Sequence, residues 1–189
     1  LSEPSAPPPF WPASWIGPDA PPLTLDIGCH RGYFLEAMAT AHPGRNFLGI
    51  ERLSERVLRT RNRLQRAQLT NAEVVSFDGA EAVASLPKQS IDEIHVLFPD
   101  PWPKRRHSGR RLVNAAFIVA CTRILKAGSL LRIVTDHHDY ARQIELTLSA
   151  QTTLELTHEH LEFPPTAFQM RFEAQEKKVN NFALRKRAF

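Results

Sequence analysis

A carboxylate set between two prolines marks the most chemically suggestive stretch of this chain. It reads Phe98-Pro99-Asp100-Pro101-Trp102-Pro103-Lys104-Arg105-Arg106-His107-Ser108-Gly109-Arg110-Arg111 and follows the apolar run Ile94-His95-Val96-Leu97. Each proline fixes its own φ and disfavours the α region for the residue before it. The pattern therefore predicts a rigid, extended turn that holds Asp100 just past a strand. A fixed carboxylate beside an aromatic ring suits a grip on a flat, polar molecule. Five Lys or Arg residues and one His lie within positions 104–111. Such a run fits a solvated face, but beside Asp-Pro-Trp it points to an anionic ligand, a nucleic-acid phosphate chain.

Other acids fall at comparable places once the elements are read. Short apolar strands are expected at 23–27, 46–50, 72–76, 91–98, 129–135, 153–161 and 179–186. Helices are expected at 33–41, 54–67 (with Ser54 as N-cap), 112–125 and 139–149. Strands alternating with helices imply an α/β fold, a doubly wound, mostly parallel, seven-stranded sheet in one domain over 23–189. Residues 1–22 hold eight of the fifteen prolines and read as an extended tail that Trp11 and Trp15 could pin to the surface. In such sheets ligands bind beyond the carboxyl ends of the strands. Asp26, Glu51, Asp78, Asp100 and Asp136 all stand there, too regular a set for turn formers alone.

Gly28-Cys29-His30-Arg31-Gly32 is a glycine turn between the first strand and its helix. Such a turn lets backbone N–H groups approach a ligand at a helix N-terminus. Glu51, closing the next strand, can accept both hydroxyls of a ribose. The turn lacks the full Gly-x-Gly-x-x-Gly of dinucleotide enzymes and sits among carboxylates. A phosphate-free nucleoside with a cationic end, S-adenosylmethionine (SAM), fits better. Asp26, Gly28, Gly32, Glu51 and Asp78 are thus the expected cofactor-binding residues.

Arg52, Arg56, Arg59, Arg63 and Arg66 form one helical stripe, beside an apolar stripe of Leu53, Val57, Leu64 and Ala67 that should face the sheet. The arginines offer either a solvated face or a second strip of phosphate contacts. His137-His138 and His158-x-His160 lack ligand partners at a metal-binding spacing, so no metal is expected. Net charge is +4 and the two cysteines form no CxxC. With no long apolar run or signal-like segment, the expected compartment is the cytoplasm.

From about Leu25 onward the chain resembles the tRNA (guanine-N7-)-methyltransferases, class I SAM-dependent enzymes with a Rossmann-like fold. The most specific likeness is Phe98-Pro-Asp-Pro-Trp-Pro-Lys104 with Arg106-His107 and Arg110-Arg111. Leu25-Asp26-Ile27-Gly28, Gly49-Ile50-Glu51, Thr135-Asp136 with Tyr140, and Thr166-Ala167-Phe168-Gln169 follow in family order. The resemblance implies methylation of the variable-loop guanine at tRNA position 46. It implies SAM-binding acids at Asp26, Glu51, Asp78 and Asp100. Substrate contacts would fall at Lys104, Asp136 and Thr166 to Gln169, with RNA contacts along Arg106, His107, Arg110 and Arg111. Guanine N7 carries a lone pair and no proton, so in-line transfer needs no general base. Asp100 is then the residue expected to position the reacting groups.

Three residues depart from the family pattern: His30 replaces a loop glycine, Gly109 a lysine and Gln169 a glutamate. Two other readings stay open. One is a class I methyltransferase acting on another RNA or on a protein. The other is a non-catalytic RNA-binding relative.

Overall fold

The computed structural model describes residues 12–17, 19–157, 163–164 and 178–188. Its strands are β1 (Leu23–Ile27), β2 (Asn46–Glu51), β3 (Ala72–Ser76), β4 (Ile91–Leu97), β5 (Leu125–Thr135), β6 (Leu154–Leu156) and β7 (Asn180–Lys186). They form one seven-stranded sheet in the order β3-β2-β1-β4-β5-β7-β6. The first five strands pair in parallel, and β7 runs antiparallel to both β5 and β6. The order turns back on itself between β1 and β4, which opens a crevice at their carboxyl ends.

The helices are α1 (Tyr33–Ala41), α2 (Ser54–Arg66), α3 (Gly79–Ser85), α4 (Ala115–Ile124) and α5 (His138–Ser149). α1 and α2 pack together on one face, while α4 contacts both α3 and α5 on the other. On the first face Phe34, Leu35 and Met38 meet Phe47, Leu64 and Ala72. The larger core gathers Ile27, Ile50, Ile94, Ile118, Ile133 and Ile144 with Val83 and Leu86. Each such fully buried side chain is worth about 1.5–3 kcal/mol relative to exposure.

Several local expectations are corrected. Residues 12–17 are not a plain extended tail: Ala13–Trp15 make a 3-10 turn, and Trp15 and Ile16 pack against the core. Trp11 lies outside the described residues. The N-cap of α2 is Leu53, without a side-chain cap, and Ser54 is already helical. Leu53 is 46% exposed, so the buried stripe of α2 is Val57, Thr60 and Leu64. α3 was not expected, although Asp78-x-x-Glu81 carries the spacing of a capping box. α4 starts later than expected because Asn114 caps it, accepting from the Phe117 N–H at 3.0 Å.

One row of the sheet is polar and buried. Gly49, Asp26, His95 and Arg132 are register partners across β2, β1, β4 and β5. The row lies beneath α1, where Phe34 meets the His95 ring edge-on at 4.9 Å. Phe163 contacts the same ring at 4.9 Å and stacks 4.4 Å from the Arg132 guanidinium. Glu93 Oε1 is 3.3 Å from His95 Nε2, the nearest polar contact of a ring whose nitrogens make no well-formed hydrogen bond among the described residues. Burial holds the imidazole pKa below its usual value.

Candidate active site

The carboxyl ends of β1 to β4 open into a cleft of about 850 Å³. Its walls carry Gly28, His30, Glu51, Asp78, Asp100, Trp102 and Arg110, which stand at or just past the carboxyl ends of four neighbouring strands. Glu51 is nearly buried. Its Oε1 accepts from the Leu53 N–H at 2.9 Å, and its Oε2 from the His30 N–H at 3.1 Å. Arg56 Nη1 stands 3.6 Å from the same Oε2. The carboxylate is therefore held rigidly with its charge in place, and each oxygen keeps a lone pair for a further donor. Asp78 caps α3 through Oδ1, accepting from Ala80 N at 2.9 Å and Glu81 N at 3.2 Å. Structural cap and cleft wall are thus one residue.

The glycine turn differs from expectation. Gly28 (φ +78°) and His30 (φ +53°) are both left-handed, so His30 occupies a conformation that glycine enters freely. Its imidazole is half-buried on the cleft wall, and burial, then Arg56, lowers its pKa. The N–H groups of Gly28 and Cys29 donate to the Ile50 carbonyl, that of His30 to Glu51, and that of Gly32 to the Cys29 carbonyl. These donors are engaged within the protein, so the turn is no open phosphate cradle. Gly32 does not line the cleft. It packs on α2, where an added Cβ would lie 2.4 Å from Thr60 Cγ2. Asp26 is also set back from the wall, 3% exposed, and burial raises its pKa to about 7, helped by Glu51 and opposed by Arg132.

Beyond β4 the proline-rich turn holds Asp100 exposed at the cleft edge. The turn is not extended throughout: Phe98 (φ +52°) and Trp102 (φ +43°), each preceding a proline, are left-handed. Bulky residues in that region are strained by about 1–3 kcal/mol each and persist only where surrounding structure holds them. The Trp102 ring lies 5.1 Å from the Arg110 guanidinium and meets His107 edge-on at 6.0 Å. Residues Arg105–Arg110 form a 3-10 helix, so the basic run is ordered around this tryptophan. Lys104, Arg106 and Arg110 are exposed, and Arg106 Nε donates to His107 Nε2 at 3.2 Å.

Arg111 departs from the expected RNA-contacting set. It is 8% exposed, and its Nε donates to the Pro101 carbonyl and its Nη1 to Gln143 Oε1, both at 2.7 Å. The arginine stripe of α2 is likewise largely paired within the fold. Arg56, Arg59 and Arg63 meet Glu51, Glu55 and Glu36, and Arg63 also stacks on Tyr33 at 3.7 Å. Asp136 is half-buried just past β5 and is not part of the cleft wall. Thr166 and Gln169 lie outside the described residues, as does the His158–His160 pair.

The family model described as "Putative methyltransferase" matches residues 20–186. The tRNA (guanine-N(7)-)-methyltransferase of Alkalilimnicola ehrlichii is 36% identical over 166 residues, 87% of this chain and 68% of the relative. This chain belongs to that methyltransferase family. The relative of the same name from Bordetella pertussis is 37% identical over 157 residues, 82% of this chain but only 61% of the relative. The chain thus spans about three fifths of that protein. A SAM-dependent O-methyltransferase from Thermotoga maritima shares the fold, with a TM-score of 0.62 at 14% identity over 89% of this chain and 60% of that one.

Two features of the cleft wall were not legible in the sequence. Tyr33 and Leu53 are large, roughly half-exposed apolar residues at its mouth. The sequence places Leu53 in the sheet-facing stripe and Tyr33 only at the start of a helix, because helical periodicity alone does not distinguish a residue facing a crevice from one facing the core. Arg56 belongs to the stripe that the sequence offers as either a solvated face or a strip of phosphate contacts, and neither reading includes its partner Glu51. Its position five residues after Glu51, within the first turn of the following helix, was the available signal for their ion pair.

Proposed function

We propose that this chain transfers a methyl group from SAM to N7 of a guanine in tRNA, the variable-loop guanine at position 46. The observation that carries the reading is one cleft in which the fixed carboxylate of Glu51 and the proline-locked Asp100 share a wall with Trp102 and Arg110. The donor set suits a phosphate-free nucleoside. Glu51 is an anchored acceptor for ribose hydroxyls, Tyr33 and Leu53 offer apolar surface, and the loop N–H groups that would hold a pyrophosphate are already engaged. When bound, SAM supplies a methyl group on a cationic sulfur, which a purine N7 lone pair attacks in line without prior deprotonation.

The chain's own work is then to bind, orient and balance charge. Glu51 and Asp78 hold the nucleoside end, and the buried carboxyl of Asp26 lies behind the turn. Asp100 positions the base against the cofactor, and carboxylates near the ring favour the positive charge it acquires. Lys104, Arg106, His107 and Arg110 meet phosphates, which steers the RNA toward the cleft. Asp136, Thr166 and Gln169 contact the nucleotide. No described helix is long and apolar enough to cross a membrane. The cytoplasm is the compartment that fits a tRNA-modifying role.

The test is labelled SAM incubated with unmodified tRNA, followed by identification of the methylated nucleoside. The expected product is 7-methylguanosine. A label in another nucleoside would point to a different RNA target. SAM binding by calorimetry without any transfer would count against the activity, and no SAM binding at all would favour a non-catalytic RNA-binding relative.

A further inference from the structure

Arg111 belongs to the basic run by sequence and to the interior by structure. It follows the 3-10 helix, its N–H donating to the Ser108 carbonyl at 3.1 Å. Its planar guanidinium lies 4.9 Å from the ring of the fully buried Tyr140 and donates in two directions, to the Pro101 carbonyl and to Gln143 of α5. Gln143 Nε2 in turn donates to the Val113 carbonyl at 3.3 Å, and the Val113 N–H donates to Tyr140 Oη at 2.9 Å. Three segments meet here: the turn after β4, the entry to α4, and the helix that follows Asp136.

We propose that Arg111 is a positioning residue for the reaction, which fixes Asp100 and Trp102 against α5 and makes no contact with RNA. The proposal rests on the SAM-dependent reading of the cleft. The Pro101 carbonyl lies in the peptide plane between Asp100-Pro101 and Trp102. Pro101 has a fixed φ, so holding its carbonyl constrains the backbone on both sides. On one side stands the Asp100 carboxylate. On the other Trp102 adopts φ +43°, which a bulky residue does not keep without external restraint. The restraint is a charge-assisted hydrogen bond from a buried guanidinium whose second arm is anchored on a helix. The same helix begins just past Asp136, so one side chain links the cofactor side of the site to its substrate side.

A forked guanidinium can hold two acceptors in one plane and an ammonium cannot, whereas both neutralise a phosphate. Arg111→Lys therefore separates the two roles. Salt dependence of tRNA binding, SAM affinity by calorimetry and the single-turnover methylation rate at saturating SAM and tRNA are measured for the wild type, Arg111→Lys, Arg111→Ala and Gln143→Ala. Thermal melting establishes that each variant is folded at the assay temperature. For Arg111→Lys the salt slope is expected to stay unchanged, SAM affinity to fall several-fold, and the rate to fall tenfold or more. Gln143→Ala should lower the rate in the same sense by a smaller factor, again without changing the salt slope. The proposal is overturned if Arg111→Lys leaves rate and SAM affinity intact, or if Arg111→Ala lowers the salt slope by about 0.7–0.9, the signature of one lost phosphate contact. A wild type that makes no 7-methylguanosine would instead sink the proposed activity. The role of Arg111 would still be read from SAM affinity and the salt slope.

Discussion

Replacing Asp26 with asparagine should stabilise this protein at neutral and alkaline pH, and the size of the effect follows from its burial. The carboxyl is 3% exposed, and its pKa rises from 3.8 to about 7 through burial and then Glu51, against the pull of Arg132. The folded chain thus holds the proton more tightly than the unfolded chain. Stability from this group is complete below about pH 3.8, falls as pH rises through the window to about 7, and is flat above it. A shift of that size corresponds to about 4 kcal/mol, since each pKa unit is worth 1.36 kcal/mol. Asparagine keeps the shape and removes the titration, but it also removes the attraction to Arg132. The expected net gain at pH 8 is therefore about 2–4 kcal/mol, shrinking toward zero near pH 4. The assay is urea unfolding of both proteins across that range. His30 and His95 have lowered pKa values, so their contribution runs the opposite way and is lost as pH falls. The difference between the two proteins isolates Asp26. Parallel stability profiles over pH 4–8 would refute the reasoning, since a carboxyl that titrates alike in both states contributes no slope.

Glu51→Ala should weaken SAM binding by about 1–3 kcal/mol, the range for a lost charge-assisted hydrogen bond; calorimetry on the folded variant checks it, and unchanged affinity would remove Glu51 from the site. Gly32→Ala should destabilise the fold by about 2–5 kcal/mol, combining a left-handed backbone with the crowding at Thr60. Thr60→Ser in the same chain removes the methyl nearest the new Cβ and should recover part of that loss in urea unfolding, while no recovery would mean the penalty is purely conformational. Gly109→Lys should fold normally, because nothing lies within 4 Å of a Cβ there. It should also steepen the salt dependence of tRNA binding by about 0.7–0.9, and an unchanged slope would place that surface away from the RNA.

What could be read from the sequence divides along the distance over which each signal acts. β1, Leu23–Ile27, was legible because an apolar run bounded by proline and glycine is a local pattern. The cleft was legible because the strand-end acids Glu51, Asp78 and Asp100 are local markers of a place the topology brings together. The burial of Arg111 was not legible, because its neighbours in sequence are basic and exposed. Its partners in space, Pro101 and Gln143, lie 10 and 32 positions away. The row of Asp26, His95 and Arg132 was invisible for the same reason: each sits in a different strand, and only the register sets them side by side. The left-handed Phe98 and Trp102 run against the ordinary effect of a following proline, and only the contacts around the turn hold them.

On the proposed function, the charges of the cleft sort by depth in a way that would reconcile a cationic cofactor with an anionic partner. Glu51 lies inside, nearly buried, and its field acts across a poorly screened interior. Arg31, Arg52 and Arg110 are exposed on the cleft lining, where salt screens interactions beyond about 8 Å. An approaching phosphate chain would meet the arginines first and be held by forces that weaken with salt. A nucleoside cation that has entered the cleft feels the buried carboxylate, whose pull salt hardly changes. Arg56 stands between the two zones, 40% exposed and 3.6 Å from Glu51. It anchors the carboxylate without neutralising the wall, because its charge is shared with solvent. One cleft can therefore take both partners without each electrostatic field repelling the other's ligand, and the switch between the two regimes is burial rather than distance along the chain.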